Sequence, residues 1–129
     1  MTLLLGARGR RHVVLIGDGL SLRLGDEVES VERDDLVKLF PIEGIPVVIG
    51  HHGVNRLGPL GVKDVVNDGE FQRKLRRSWD KGLNVSIAKL IEQFDPSVSA
   101  SLKSLPPAKM FGIWMAGLWP CTSVPEIAE

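Results

Sequence analysis

Three residues near the start of the chain have the side-chain types that amide-bond chemistry needs: the hydroxyl of Thr2, the carboxylate of Asp18 and the ammonium group of Lys38. A hydroxyl attacks an amide carbonyl when a base stands beside it. A free α-amino group on the same residue is such a base, with an unperturbed pKa of about 8. The nucleophile must then be the first residue of the mature chain. Thr2 follows Met1, and trimming a methionine that precedes a small residue exposes the amine and the hydroxyl together. A nearby ammonium lowers the proton affinity of both groups, and a carboxylate keeps that ammonium charged and oriented. Lys38 and Asp18 can supply this pair. The glycine-rich turn Gly50-His51-His52-Gly53 can aim backbone N–H groups at a developing oxyanion.

Positioning these groups falls to the elements around them. Thr2 to Leu5 is a short apolar strand, Gly6 to Arg11 supplies turn residues, and His12 to Ile16 is a run of β-type residues, so a hairpin is expected. Gly17-Asp18-Gly19 ends its second strand, and Ser21 to Arg33 reads as extended chain. Lys38 to Ile42 and Ile45 to Gly50 read as a second hairpin turning at Glu43-Gly44, with Pro41 and Pro46 confined to edges or strand ends. This places Asp18 and Lys38 at one end of the sheet. Beyond a loop from Gly50 to Gly61, the period changes to that of a helix. Phe71, Leu75 and Trp79 recur every fourth residue, Asp68 can cap the start, Gly82 can stop the helix, and Arg73, Lys74, Arg76 and Arg77 form an outer face. A second helix is expected through Ile87, Leu90, Ile91 and Phe94, then a loop or short helix over 96–107, then a buried strand from Met110 to Leu118. Two hairpins, two helices and a strand make an α+β domain, not alternating βαβ units.

The stretch T-L-L-L-G-A-R-G-R-R-H-V-V-L-I-G-D-G resembles the start of proteasome β-subunits. In that family of N-terminal-nucleophile hydrolases, the threonine is followed by an apolar strand, a basic turn, a V-V-L run and an aspartate at this spacing. K-L-F-P-I is similar to the segment that carries the family lysine, and I-P-V-V-I-G-H-H-G to the next strand with its oxyanion glycine. The resemblance covers about residues 2–54. It departs at Gly19-Leu20, where the family usually has Ser-Arg, and in a longer stretch between the aspartate and the lysine.

The resemblance implies proteasome-like β-hairpins packed on two helices, a truncated version of the αββα sandwich in a homo-oligomer; either the chain is a fragment or truncated homologue of the family, or subunits complete one another by association. It also implies a hydrolase of peptide or other amide bonds. Thr2 is then the nucleophile, Lys38 the electrostatic partner, Asp18 its orienter, and Gly50 or Gly53 the oxyanion glycine, with no cofactor required. A non-catalytic assembly subunit with the same scaffold is the alternative.

Other features have plainer readings. Asp18 can cap a turn, and a lysine at a strand end is commonly solvated. Adjacent His51 and His52 point to opposite sides of a strand and make a poor shared metal site, so they read as polar loop residues and no metal is assigned. Trp79, Trp114 and Trp119 suit core or interface anchoring. V-V-L-I-G-D-G-L-S is similar to the G-D-S-L block of serine esterases, but Gly19 stands where their nucleophilic serine would be. No glycine-rich turn opens a helix as nucleotide-binding strand-loops require.

A length of 129 residues suits a single domain over 1–129. Sixteen Lys and Arg balance sixteen Asp and Glu, so no net field points to nucleic acid or an anionic membrane. The lone Cys121 excludes an internal disulfide, which favours a reducing, cytoplasmic setting. No stretch approaches the roughly twenty apolar residues of a membrane span.

Overall fold

The computed structural model describes residues 3–19, 21–24, 29–33, 35–53, 56–57, 60–79, 81, 111–118 and 125–128. Strand β1, Leu4–Arg8, pairs antiparallel with β2, Val13–Gly17, in the register Leu4 to Gly17 and Arg8 to Val13. This is the expected first hairpin, with β1 running three residues further than the sequence reading gave. The ladder continues through Gly6 opposite Leu15 and Ala7 opposite Val14, so the turn falls at 9–12. The extended stretch that follows forms a second pair, β3 (Ser21–Leu24) with β4 (Glu29–Arg33).

Next come β5, Leu39–Pro41, and β6, Val47–Gly53. Gly44 between them has φ of +84°, a left-handed conformation that glycine adopts at no steric cost. Pro41 is tolerated because β5 is the edge of a four-stranded sheet ordered β10-β9-β6-β5. In that sheet β9 is Phe111–Leu118 and β10 is Pro125–Ala128, and every neighbouring pair is antiparallel. The fold is therefore α+β with antiparallel sheets. The strand expected at 110–118 is present and central, but it is not the last, since β10 lies beyond it.

Between β6 and β9, the stretch read as a loop over 50–61 carries more structure. Strand β6 continues to Gly53, and β7 (Arg56–Leu57) pairs with β8 (Leu60–Gly61). One short helix, α1 (Val62–Val66), begins where the Gly61 N–H donates to Asp64 Oδ2 at 3.1 Å. Helix α2 is Gly69–Trp79, and its start is capped as expected: the Phe71 N–H donates to Asp68 Oδ1 at 2.9 Å. Phe71 and Leu75 are buried on its inner stripe, while Arg73, Lys74 and Arg77 are exposed. Arg76 is tied to the β5–β6 turn, donating from Nη1 to the Glu43 carbonyl at 3.3 Å. The expected second helix through Ile87 to Phe94, the 96–107 loop or short helix, Gly82, Trp119 and Cys121 lie outside the described residues.

Alternation along β6 divides the molecule into layers. Val47 and Ile49 join Phe40, Ile113 and Met115 in one core with Val62 and Val66 of α1 and Phe71 and Leu75 of α2. Ile49 and Met115 face each other in register, and neither is exposed at all. Fully burying a side chain of this kind contributes about 1.5–3 kcal/mol. On the other face, Gly50 and Trp114 meet the β1–β2 hairpin. A Cβ on Gly50 would lie 2.9 Å from Leu15 Cδ2 and 3.1 Å from Leu4 Cδ1, and one on Gly6 would lie 2.8 Å from Ile127 Cδ1. The hairpin thus lies across the sheet at a distance only small residues allow.

Gly50→Ala should lower the melting temperature, since the added methyl must displace Leu15 and Leu4 at a cost of about 1–2 kcal/mol. Gly69→Ala, where a Cβ meets nothing within 4 Å, should leave it unchanged or raise it. Thermal denaturation followed by circular dichroism checks both.

Candidate functional site

The hairpin register continues one step past its last ladder pair. The Asp18 N–H donates to the Leu3 carbonyl at 3.1 Å, and the Leu3 N–H donates back to the Asp18 side chain, to Oδ2, at 3.1 Å. Its other carboxylate oxygen, Oδ1, accepts from Lys38 Nζ at 2.6 Å. One carboxylate therefore ties the backbone at the start of β1 to the cation that precedes β5. The Lys38 side chain is only 1% exposed, against 30% for Asp18. Of the residues singled out from the sequence, Asp18 and Lys38 are brought into direct contact. Lys38 is not the solvated strand-end charge that lysine usually is.

Thr2 lies outside the described residues. Leu3, its covalent neighbour, is the residue whose amide Asp18 holds.

The two candidate glycines sit in different circumstances. The His51 N–H donates to the Lys38 carbonyl at 3.1 Å, toward the β5 side of β6. In an antiparallel strand successive N–H groups point to alternate sides, so the Gly50 N–H is directed to β9, where Trp114 stands opposite. Gly50 is thus a packing notch within a central strand. Gly53 closes β6 with φ of +88°, is exposed, and lies on the strand-end side of His51, where β6 extends past the first residue of β5.

His51 is the residue that the sequence reading underrated. The sequence pattern suggests a loop here; the structure makes it a strand residue, 2% exposed, one position beyond Gly50. Its ring stacks on Phe40 with centroids 6.0 Å apart and planes at 17°. Its Nδ1 is buried with no hydrogen-bond partner among the described residues. Burial first, then the Lys38 ammonium and His52, push the imidazole down from 6.5 to about 4. The available signal was the period of the strand, which carries Val47, Ile49 and His51 in one alternating row. As expected of neighbours in a strand, His52 differs in burial and is only half-buried.

Away from this pair, a crevice of about 300 Å³ opens at the turn end of the β1–β2 hairpin, with Arg11, His12, Leu15, Pro46, Val48 and Leu118 among its lining. Arg11 and His12 are exposed and the rest of these are apolar, so it offers no buried reactive group. Among the described residues, no three His, Cys, Asp or Glu side chains gather as metal ligands, and no helix is long and apolar enough to cross a membrane. Trp79 packs against the core and Trp114 against the hairpin face near Gly6. Comparison with protein-family models, curated proteins and solved structures gave no match.

The pair and the histidine generate two expectations. Asp18→Asn removes the carboxylate that meets the buried ammonium at 2.6 Å and should cost about 2–3 kcal/mol in urea unfolding, discounted because the carboxylate is partly exposed. Adding Lys38→Met removes the buried charge as well and should recover most of that loss. His51 is favoured neutral in the fold, so its contribution is complete above pH 6.5. It falls as the unfolded chain takes up a proton between pH 6.5 and about 4. A loss on the order of 2–3 kcal/mol across that window should be present in wild type and absent in His51→Phe.

Proposed function

We propose that this chain is a proteasome-like, threonine-type hydrolase of peptide or other amide bonds. The observation that carries the reading is the Asp18 carboxylate, which joins the buried Lys38 ammonium to the amide of Leu3, one peptide bond from Thr2. In this reading Met1 is removed and the Thr2 amine takes the proton from the Thr2 hydroxyl. The Thr2 oxygen then adds to the substrate carbonyl, and the carbonyl electrons move to oxygen. Lys38 favours the deprotonated forms of both Thr2 groups by its charge, and Asp18 keeps it ionised and aimed. The Thr2 ammonium returns its proton to the leaving amine as the C–N bond breaks, and water then hydrolyses the ester. Gly53, at the end of β6, is the better oxyanion donor, because the Gly50 N–H is committed to the β9 ladder.

Layering supports the same scaffold. Helices α1 and α2 cover one face of the four-stranded sheet and the β1–β2 hairpin covers the other, as in a shortened αββα sandwich. A cytoplasmic location and a homo-oligomer go with this reading, and no cofactor enters it.

One observation favours a second reading, a non-catalytic assembly or interaction subunit. The outer face of the hairpin exposes Leu5, Val14 and Ile16, with Leu3 beside them, each 43–57% accessible. Apolar patches on sheet faces mark association surfaces.

Intact-mass measurement of the native protein comes first, because a retained Met1 blocks the amine and rules out the hydrolase. With Met1 removed, Thr2→Ala should reduce turnover of fluorogenic peptides by about a thousandfold or more, the scale of losing a nucleophile. Equal rates for wild type and Thr2→Ala would leave only the second reading.

A further inference from the structure

We propose that His51 is a positioning residue for the Lys38–Asp18 pair, which holds its full contact only while the His51 imidazole is neutral. Its relevance to catalysis rests on the hydrolase reading, whereas the contact itself can be tested without any activity.

The two residues are cross-strand neighbours, joined by the hydrogen bond from the His51 N–H to the Lys38 carbonyl. Directly opposed residues place their Cβ atoms about 4.5–5.5 Å apart, so the ring and the lysine stem start from adjacent positions. Both side chains are withdrawn from water, at 2% exposure for the His51 residue and 1% for the Lys38 side chain. Among the described residues, the charged and titratable groups that act on the ring are Lys38 ahead of β5 and His52 on its own strand; β9 presents Ile113 opposite it, and Phe40 covers a ring face. Asp18 meets the Lys38 ammonium on its side away from Leu3.

A proton on this ring meets an unfavourable set of partners. Nδ1 has no acceptor among the described residues, so protonation there gains no hydrogen bond. The nearest titratable neighbours are a cation and another imidazole. Phe40 closes one ring face, and the backbone of His51 is fixed in the middle of a ladder. The flexible lysine stem is what can yield, since the ammonium rides on a four-carbon chain. An imidazolium would therefore drive the Lys38 ammonium away from the Asp18 oxygen it contacts. The buried site tolerates one cation, and the neutral histidine reserves that place for Lys38.

The test is a pH titration by NMR from pH 7.5 to 3.5, following the His51 imidazole and the Asp18 carboxyl carbon in wild type and in His51→Phe. The phenylalanine keeps the stack on Phe40 and cannot ionise. In wild type, His51 should titrate at least one pH unit below a free imidazole, and the Asp18 signal should show a step at the same midpoint. That step should vanish in His51→Phe, leaving only the carboxyl's own titration. If His51→Phe gives no dispersed spectrum, His51→Asn takes its place with the same expectation. An Asp18 curve unchanged by either substitution overturns the proposal. So does a His51 midpoint near 6.5, or global unfolding before His51 titrates. None of these outcomes depends on Thr2, so failure here stays separate from failure of the hydrolase reading.

Discussion

Taking the Lys38 ammonium out of water is the step on which the rest of the site depends. Desolvating such a charge costs several kcal/mol even after the protein relaxes, and a partner carboxylate must offset that cost at short range. Asp18 does so at 2.6 Å, and it is itself held by the Leu3 amide. The carboxylate is therefore not free to swing away, because one of its oxygens belongs to the backbone of β1. This makes the pair a clamp between the β1–β2 hairpin and the chain that enters β5. A surface pair such as Arg73 and Glu70, with both side chains 52% exposed, constrains nothing comparable.

The clamp closes only because the hairpin lies close against the sheet. Gly50 in the centre of β6 and Gly6 in β1 leave room for Leu4, Leu15 and Ile127 to interlock between the layers. The opposite face of the same sheet is filled conventionally, by Ile49 and Met115 under the two helices. One strand therefore serves two packing problems, with large residues at 47 and 49 facing the helices and a glycine at 50 facing the hairpin. The strand end that results carries His51 and Gly53 past the start of β5, beside Lys38.

Much of this was legible in the sequence where local pattern and local structure coincide. The first hairpin, the β5–β6 turn at Gly44, the Asp68 cap and the buried strand at 110–118 each announce themselves through turn residues, capping chemistry or an apolar run. Local pattern misleads where a glycine resembles a strand boundary. Gly50 looked like the end of a strand, and it is instead a contact with another layer, a fact that no local pattern carries. Ending the strand there made His51 a loop residue and hid its burial. Helix α1, with five residues, is too short to show a period, and Pro125–Ala128 is a strand because β9 offers it an edge. Within the site, the spacing of Asp18 and Lys38 indicated a shared end of the sheet, but the burial of Lys38 follows from tertiary packing alone.

The two ends of the first hairpin show why burial, more than charge, locates the site. At the turn end Arg8, Arg10, Arg11 and His12 are exposed beside an open crevice. Solvated cations of this kind cost the fold almost nothing, so their presence demands no compensating structure and marks no particular chemistry. At the other end a single ammonium is enclosed, and several features of the chain answer to it: a carboxylate anchored by a backbone amide, a histidine kept neutral, and an antiparallel pairing that brings β6 past the start of β5. A fold that gained only stability from this corner would do as well with an apolar residue at 38, since apolar replacement of buried ion pairs is often neutral or better. The enclosed charge therefore acts first on its immediate neighbours, the Asp18 carboxylate and, through that carboxylate, the backbone amide of Leu3.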